Sequence, residues 1–283
     1  ATLGVMLSTF MEAMILYIIL MLFGIDIPII YCLLFGALIS PTDPIAVLSI
    51  LNKAGISESV KIKITGESLF NDGIGVVLFL AIMQIISEGI DNLSYINISI
   101  LFIQEAVGGI AMGFIIGYLG YLLMKSIDNF QSEILITLSM VMAGYSICHL
   151  LHLSGPLAMV VAGLFTGNKS KHDAWSIETH EYVEKFWEVI DEILNAILFI
   201  LIGLELLIIS FNVNIIYVGL IMAVLLLFSR YVALWLPANI FRFKSKLEDN
   251  ALEIMTLGGL RGGISIALAL SLPAGEMKEL IVS

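Results

Sequence analysis

The chain has 283 residues, of which 59% are hydrophobic and only 13% charged, with a mean hydropathy of +1.04 and a formal net charge of −11. So few charges cannot cover the surface of a water-soluble domain, and composition alone assigns the chain to the integral membrane proteins. No basic stripe exists to meet phosphates, which excludes a nucleic-acid partner. The two cysteines, Cys32 and Cys148, both lie in apolar stretches, and neither suggests a disulfide framework.

The opening, ATLGVMLSTF, has no start methionine and no charged n-region, so no signal peptide is expected. It is apolar from the outset, and the closing KELIVS turns apolar again. The sequence reads as one transmembrane domain, 1–283, incomplete at both ends. Apolar runs between polar punctuation predict about nine helices. They run over 1–23, 27–51, 62–87, 98–124, 134–151, 156–166, 183–209, 215–241 and 251–272. The sixth is short, and the polar stretch GNKSKHDAWSIETHEYVEKF after it reads as a connector with an amphipathic interfacial turn. Lys53, Lys61, Lys63, Lys125, Lys169, Lys171, Arg242, Lys244 and Lys246 fall in alternate loops, and the loops between them carry no lysine or arginine. The basic loops are therefore cytoplasmic, and the alternation agrees with the helix count.

Ionisable side chains at bilayer depth are costly and concentrate where function is. Within the second span stands SPTDP, residues 40–44. Pro41 and Pro44 lack backbone N–H groups, and each disfavours helix in the residue before it. The helix opens there, and an opened helix survives in a bilayer only against protein or a watery cavity. Its freed carbonyls, the Thr42 hydroxyl and the Asp43 carboxylate are oxygen ligands suited to a hard cation. A plain proline kink with a solvated aspartate is the competing account.

The third span carries GESLFNDG. At about 100° per residue, Ser68 and Asp72 share one row and Glu67 and Asn71 the adjacent one. An interhelical hydrogen-bond cluster explains Ser68 and Asn71 but not two acids. The last span is interrupted by GGLRGG, whose glycines weaken helix and admit close backbone approach. Two interrupted spans of opposite direction form the pattern of inverted-repeat transporters, with the site between them. Arg261 needs an anion at that depth, and Glu67 is the leading candidate. Arg230 also needs an acid, which the sequence does not name. Glu12 stands where an apolar residue is expected, and a place at headgroup level or against further helices explains it as well as function does.

The blocks FGALISPTDPIAVLSIL, GESLFNDGIGVVLF, LSGPLAMVVAGLFTGN, FWEVIDEILNAILFILIGLEL and GGLRGGISIALALSLP, in that order, resemble the sodium/proton antiporters of the NhaP/NHE type. The resemblance implies an all-α membrane bundle with two crossed, unwound helices from inverted repeats. It implies core-domain helices at about 27–87 and 251–272 that move against a dimerisation domain. It further implies that Asp72 binds Na+ or a proton, that Asp43, Thr42 and Ser68 complete the Na+ shell, that Asn71 and Glu67 support it, and that Glu67 pairs with Arg261. The Asn71-Asp72 pair resembles the electroneutral branch, which exchanges one cation for one proton. No cofactor is expected beyond the transported Na+ and H+. The expected partners are the lipid bilayer and a second copy of the chain, and the expected place is a prokaryotic cell membrane. A K+/H+ antiporter on the same scaffold is the runner-up, with Li+ as a further possible cargo.

An intramembrane aspartyl protease built on Asp43 and Asp72 is the competing enzyme class. It requires no arginine and no prolines flanking an aspartate. A channel requires a polar stripe along several helices, whereas the polar groups here cluster at one depth. CHLLH, with His149 and His152, lacks a full metal shell. GISIA lacks the preceding strand of a nucleophile turn, and small residues packing a helix explain it better. Glu188, Asp191 and Glu192 sit where acids stabilise a helix N-terminus, or line a cytoplasmic funnel for cations.

Overall fold

The computed structural model describes residues 2–43, 58–89, 95–127, 129–173, 177–208, 213–240 and 251–257, with residues 259, 262–273, 275, 278, 280 and 281. Its helices are α1 (Thr2–Leu22), α2 (Ile29–Ile39), α3 (Glu58–Glu88), α4 (Tyr95–Lys125), α5 (Phe130–Leu150), α6 (Gly155–Asp173), α7 (Ile177–Ile208), α8 (Val213–Ile240), α9 (Ala251–Leu257) and α10 (Gly263–Ser271). Among the described residues, five helices are long and apolar enough to cross a membrane: Thr2–Leu22, Val60–Ser87, Phe102–Lys125, Phe130–Leu150 and Ile216–Ile240. Lipid offers backbone groups no hydrogen bonds, so helices that satisfy their own are the expected spanning form.

Two compact units divide the chain. One comprises Ala1–Ile90 and Leu201–Ser283, the other Asp91–Ile200. In the first, α1 packs on α2 and α8, α2 on α3, α8 on α9, and α10 on α2 and α3. A Cβ added at Gly36 would press on the Thr9 carbonyl and lie 3.3 Å from the Ala13 nitrogen. Glycine there lets α1 and α2 cross at backbone distance, as small residues do in membranes. The crossing is tied by a hydrogen bond from Thr9 Oγ1 to Ser40 Oγ at 3.2 Å. Below it, Ala13, Leu16, Ile19 and Leu20 pack with Cys32, Val218, Met222 and Leu226.

Both expected interruptions are present. The helix of the second span stops at Ile39, where the Ser40 N–H still bonds the Gly36 carbonyl at 3.0 Å. Ser40 itself keeps helical dihedrals, φ −68° and ψ −31°, and Pro41 then removes the next donor, so the helix does not continue. The last span stops at Leu257 and resumes at Gly263. Pro44, Gly258, Leu260 and Arg261 lie outside the described residues.

In the second unit, α4 packs on α6, and α5 packs on both. A Cβ at Gly113 would come 2.5 Å from the Ala158 carbonyl, and one at Gly117 3.1 Å from the Ala162 carbonyl. This is again close packing through small residues. The CHLLH segment closes α5: Cys148 is buried, His149 and His152 are exposed, and His152 turns the chain with φ 53°.

One expectation differs. The sixth helix is not short: it continues from Gly155 to Asp173, and α7 already begins at Ile177, so most of the stretch expected as a connector is helical. Past Gly167 that stretch holds no glycine or proline, and i,i+4 pairs support its helix. Lys185 Nζ lies 2.6 Å from Glu181 Oε1, and His180 Nε2 lies 3.8 Å from Glu184 Oε1.

Candidate functional site

The break after α2 and the middle of α3 meet within the first unit. Thr42, Ser68 and Asn71 are buried, while Asp43 and Asp72 are half-buried. Ser68 Oγ donates to the Thr42 carbonyl, one of the groups freed by the break. Asn71 Nδ2 donates to Thr42 Oγ1 at 3.5 Å and to Glu67 Oε1. The amide nitrogen is thereby engaged, and the buried Asn71 Oδ1 has no hydrogen-bond partner among the described residues. Asp72 lies four residues beyond Ser68, one turn along the same row of α3. A Cβ at Gly75 would collide with the Pro41 ring, so glycine lets α3 pass against the break.

The second interruption reaches the same place. A Cβ at Gly262 would fall on the Asp43 side chain, 2.8 Å from Oδ2 and 3.0 Å from Cγ. Asp43 of one broken helix therefore sits at the start of the resumed half of the other, and a helix N-terminus favours negative charge.

Glu67 is held on its other side by a cation. Its Oε2 accepts from Arg230 Nη2 at 3.1 Å, with the two side chains 12% and 7% exposed. Arg230 Nε also donates to the Met255 carbonyl near the end of α9, at 3.1 Å. A side chain at Gly259 would overlap the Arg230 guanidinium. The acid that Arg230 needs is thus Glu67, which the sequence reading had assigned to Arg261. Arg261 lies outside the described residues, so its pairing with Glu67 stays an expectation. The signal was available: an arginine in an apolar helix requires an acid, and a carboxylate has two oxygens to share.

Glu12, left open by the sequence, is 0% exposed, and it accepts from Ser8 Oγ at 3.0 Å within α1. Its own unit covers it. Among the described residues, no group of three His, Cys, Asp or Glu side chains is placed to hold a metal ion. The donors assembled around the break are mainly carbonyl, hydroxyl, amide and carboxylate oxygens, a set for a hard, weakly held cation. A cavity of about 290 Å³ in the second unit, lined by Met140, Met159, Thr166 and Trp187 among others, includes none of these residues.

An all-helical membrane bundle whose two interrupted helices meet at a cluster of oxygen donors is the architecture of a secondary transporter for a small cation. The comparisons sharpen this. The sequence model of the family described as sodium/hydrogen exchanger, transmembrane, matches residues 1–282. The Na(+)/H(+) antiporter NhaP of Pseudomonas aeruginosa is 47% identical over 288 residues, covering 100% of this chain and 68% of that protein. The Na(+)/H(+) antiporter NhaH of Halobacillus dabanensis is 34% identical over 272 residues, covering 92% and 65%. The solved structure of the sodium proton antiporter MjNhaP1 from Methanocaldococcus jannaschii at pH 8 superposes with a TM-score of 0.79 at 20% identity, over 99% of this chain and 73% of that one. At that identity the likeness carries the fold alone.

The chain belongs to the sodium/hydrogen exchanger family, a family of integral membrane transporters and not of enzymes. It spans about two thirds of the length of these two relatives, at 68% and 65%. The protease alternative falls with this assignment.

Proposed function

We propose that the protein exchanges Na+ for H+ across the membrane, one for one, with Asp72 as the ligand that the two ions share. Asp43, Thr42 and Ser68 complete the Na+ shell. Asn71 offers its free amide oxygen or braces the shell from beside it. Glu67 and Arg230 hold Asn71 and the end of α9 in place. The observation that carries the reading is the junction itself: Ser68 on α3 grips the freed Thr42 carbonyl, and Asp43 rests on the start of α10. A single shared carboxylate cannot hold a cation and a proton together, so occupancy by one expels the other. Either occupant neutralises Asp72 enough to pass. The empty, charged site passes poorly, because moving an uncompensated charge through the bilayer is costly.

The moving part in this reading is the core at about 27–87 and 251–272, and the protein works as a homodimer in a prokaryotic cell membrane. The test is Asp72→Asn in the complete protein, reconstituted in proteoliposomes with Na+, Li+ and K+ varied separately. Exchange should vanish while the protein remains folded in the membrane. Normal Na+-driven proton flux in that variant would refute the assignment, and a preference for K+ in the unmodified protein would turn the reading to a K+/H+ antiporter.

A further inference from the structure

The start of α10 carries a group that the proposed shell does not use. Gly262 is the N-cap of this nine-residue helix and has no side chain to offer the unpaired N–H groups of the first turn. The position where its Cβ would lie is filled by Asp43. Asp43 therefore stands where a capping side chain stands, supplied by a different segment. In a capping box, the third helical residue turns its side chain back toward the cap. Here that residue is Ser265, 5% exposed, whose Oγ has no hydrogen-bond partner among the described residues.

Serine and threonine in membrane helices commonly satisfy their hydroxyls on a carbonyl three or four residues back. Thr256 does so on Leu252 at 2.7 Å, and Ser271 on Leu268 at 2.7 Å. Among the described residues Ser265 has no such partner, although it is buried in the first turn of the helix whose N-cap position meets Asp43, and a buried hydroxyl without a partner is unfavourable.

We propose that the Ser265 hydroxyl is a further ligand of the transported cation, supplied by α10 next to Asp43. The proposal rests on the antiporter reading and deepens it. A hydroxyl suits the position because its proton can go to Asp43 while a lone pair faces the cation. It adds an oxygen without adding a charge, so it tunes affinity and size preference and leaves the charge moved per cycle unchanged. The shell then draws on three segments: the break after α2, α3, and the first turn of α10.

The experiment compares Ser265→Ala, Ser265→Thr and Ser265→Cys with Asp72→Asn, all in the complete protein. Apparent Km values for Na+ and Li+ are measured in proteoliposomes, and Na+-dependent thermal stabilisation is measured in detergent. Ser265→Ala should raise the Na+ Km and the half-stabilising Na+ concentration about tenfold, the equivalent of one lost ligand contact. Its Li+ Km should rise less, since the smaller ion is satisfied by fewer ligands. Thr, which keeps the hydroxyl, should restore Na+ affinity, and Cys, with a soft sulfur, should not. If Ser265→Ala does not fold, the Thr and Cys pair still decides the matter. Na+ affinity in the Ala or Cys variant within about twofold of the unmodified protein overturns the proposal. An equal loss for Na+ and Li+ that Thr does not rescue also overturns it and assigns Ser265 to packing. Unchanged Na+ binding in Asp72→Asn overturns the antiporter site itself. Lost binding there with an unaffected Ser265→Ala overturns only the ligand.

Discussion

Removing Arg230 tests whether the Glu67 pair holds the site together. The two groups lie 3.1 Å apart with side chains 7% and 12% exposed. At an effective dielectric constant of about 20, that separation corresponds to roughly 5 kcal/mol of attraction, most of it offset by the cost of desolvating both ions. Removing one partner forfeits the attraction and leaves the other charge buried, which typically costs about 3–5 kcal/mol. Arg230→Met also strips the Met255 carbonyl of its donor, worth about another 1 kcal/mol. At ~2–4 °C per kcal/mol for a domain of this size class, the melting temperature should fall by about 8–24 °C. Glu67→Gln keeps an acceptor for Asn71 but strands the arginine, so it should cost somewhat less. The assay is thermal unfolding of both single variants and the double variant in detergent, read as a double-mutant cycle. A coupling of about 1–3 kcal/mol is expected. Single variants that melt within about 2 °C of the unmodified protein, or a double variant equal to the sum of the singles, would show that Arg230 does not balance Glu67.

The remaining expectations are local. Gly262→Ala places a methyl group on Asp43, so the Na+ concentration for half-maximal thermal stabilisation should rise by at least about tenfold, measured beside circular dichroism as a control for folding. Gly113→Val drives a branched side chain into the Ala158 carbonyl and should destabilise by about 1–3 kcal/mol, read from the melting temperature. Outside the apolar stretch of α7, the hydrogen bond from Lys185 holds the Glu181 carboxyl below its ordinary range. A depressed folded value stabilises above the unfolded pKa and is lost as pH falls through the folded one, so the Glu181 carboxyl resonance should titrate lower than in Lys185→Ala. If Na+ and one proton compete for the site, Na+ affinity should weaken about tenfold per pH unit on the acid side of its titration, and a pH-independent affinity would end the competition account.

Much of this site was legible because it rests on chemistry that acts locally. Pro41 breaks a helix wherever it stands, and the glycines of GGLRGG weaken one, so both interruptions could be placed within a short stretch of sequence. The rows Ser68–Asp72 and Glu67–Asn71 follow from helical periodicity alone. What depends on encounters between distant segments was harder. Arg230 and Glu67 are 163 positions apart, and charge balance at depth shows that an arginine needs an acid without saying which. The contact of Gly262 with Asp43 was invisible for a related reason, since a glycine's role as room for another residue leaves no trace in its own composition. The helical residues 170–173 and 177–185 were misread because polarity was taken for a loop, when i,i+4 pairs support a polar helix equally well.

The arrangement of charges in the first unit gives the mechanism its logic. Glu67 is spoken for by Arg230 and Asn71. Asp43 lies in the field of the α10 N-terminus. Glu12 takes a hydrogen bond from Ser8 within a covered interior. Asp72 differs from these: among the described residues it forms no ion pair, and the charged groups that act on it, Asp43 and Glu67, are themselves acids. Among the described residues, its charge is therefore balanced by no fixed cation. A site built this way must be filled from outside before it can pass through a low-dielectric region at modest cost. Supplying Asp72 with a permanent partner should accordingly abolish exchange more thoroughly than it disturbs folding. Ser68→Lys, one turn away on the same row, is the direct means, because its ammonium can reach the carboxylate. A folded Ser68→Lys variant that still exchanged Na+ for protons would show that balance at Asp72 is not what cargo provides.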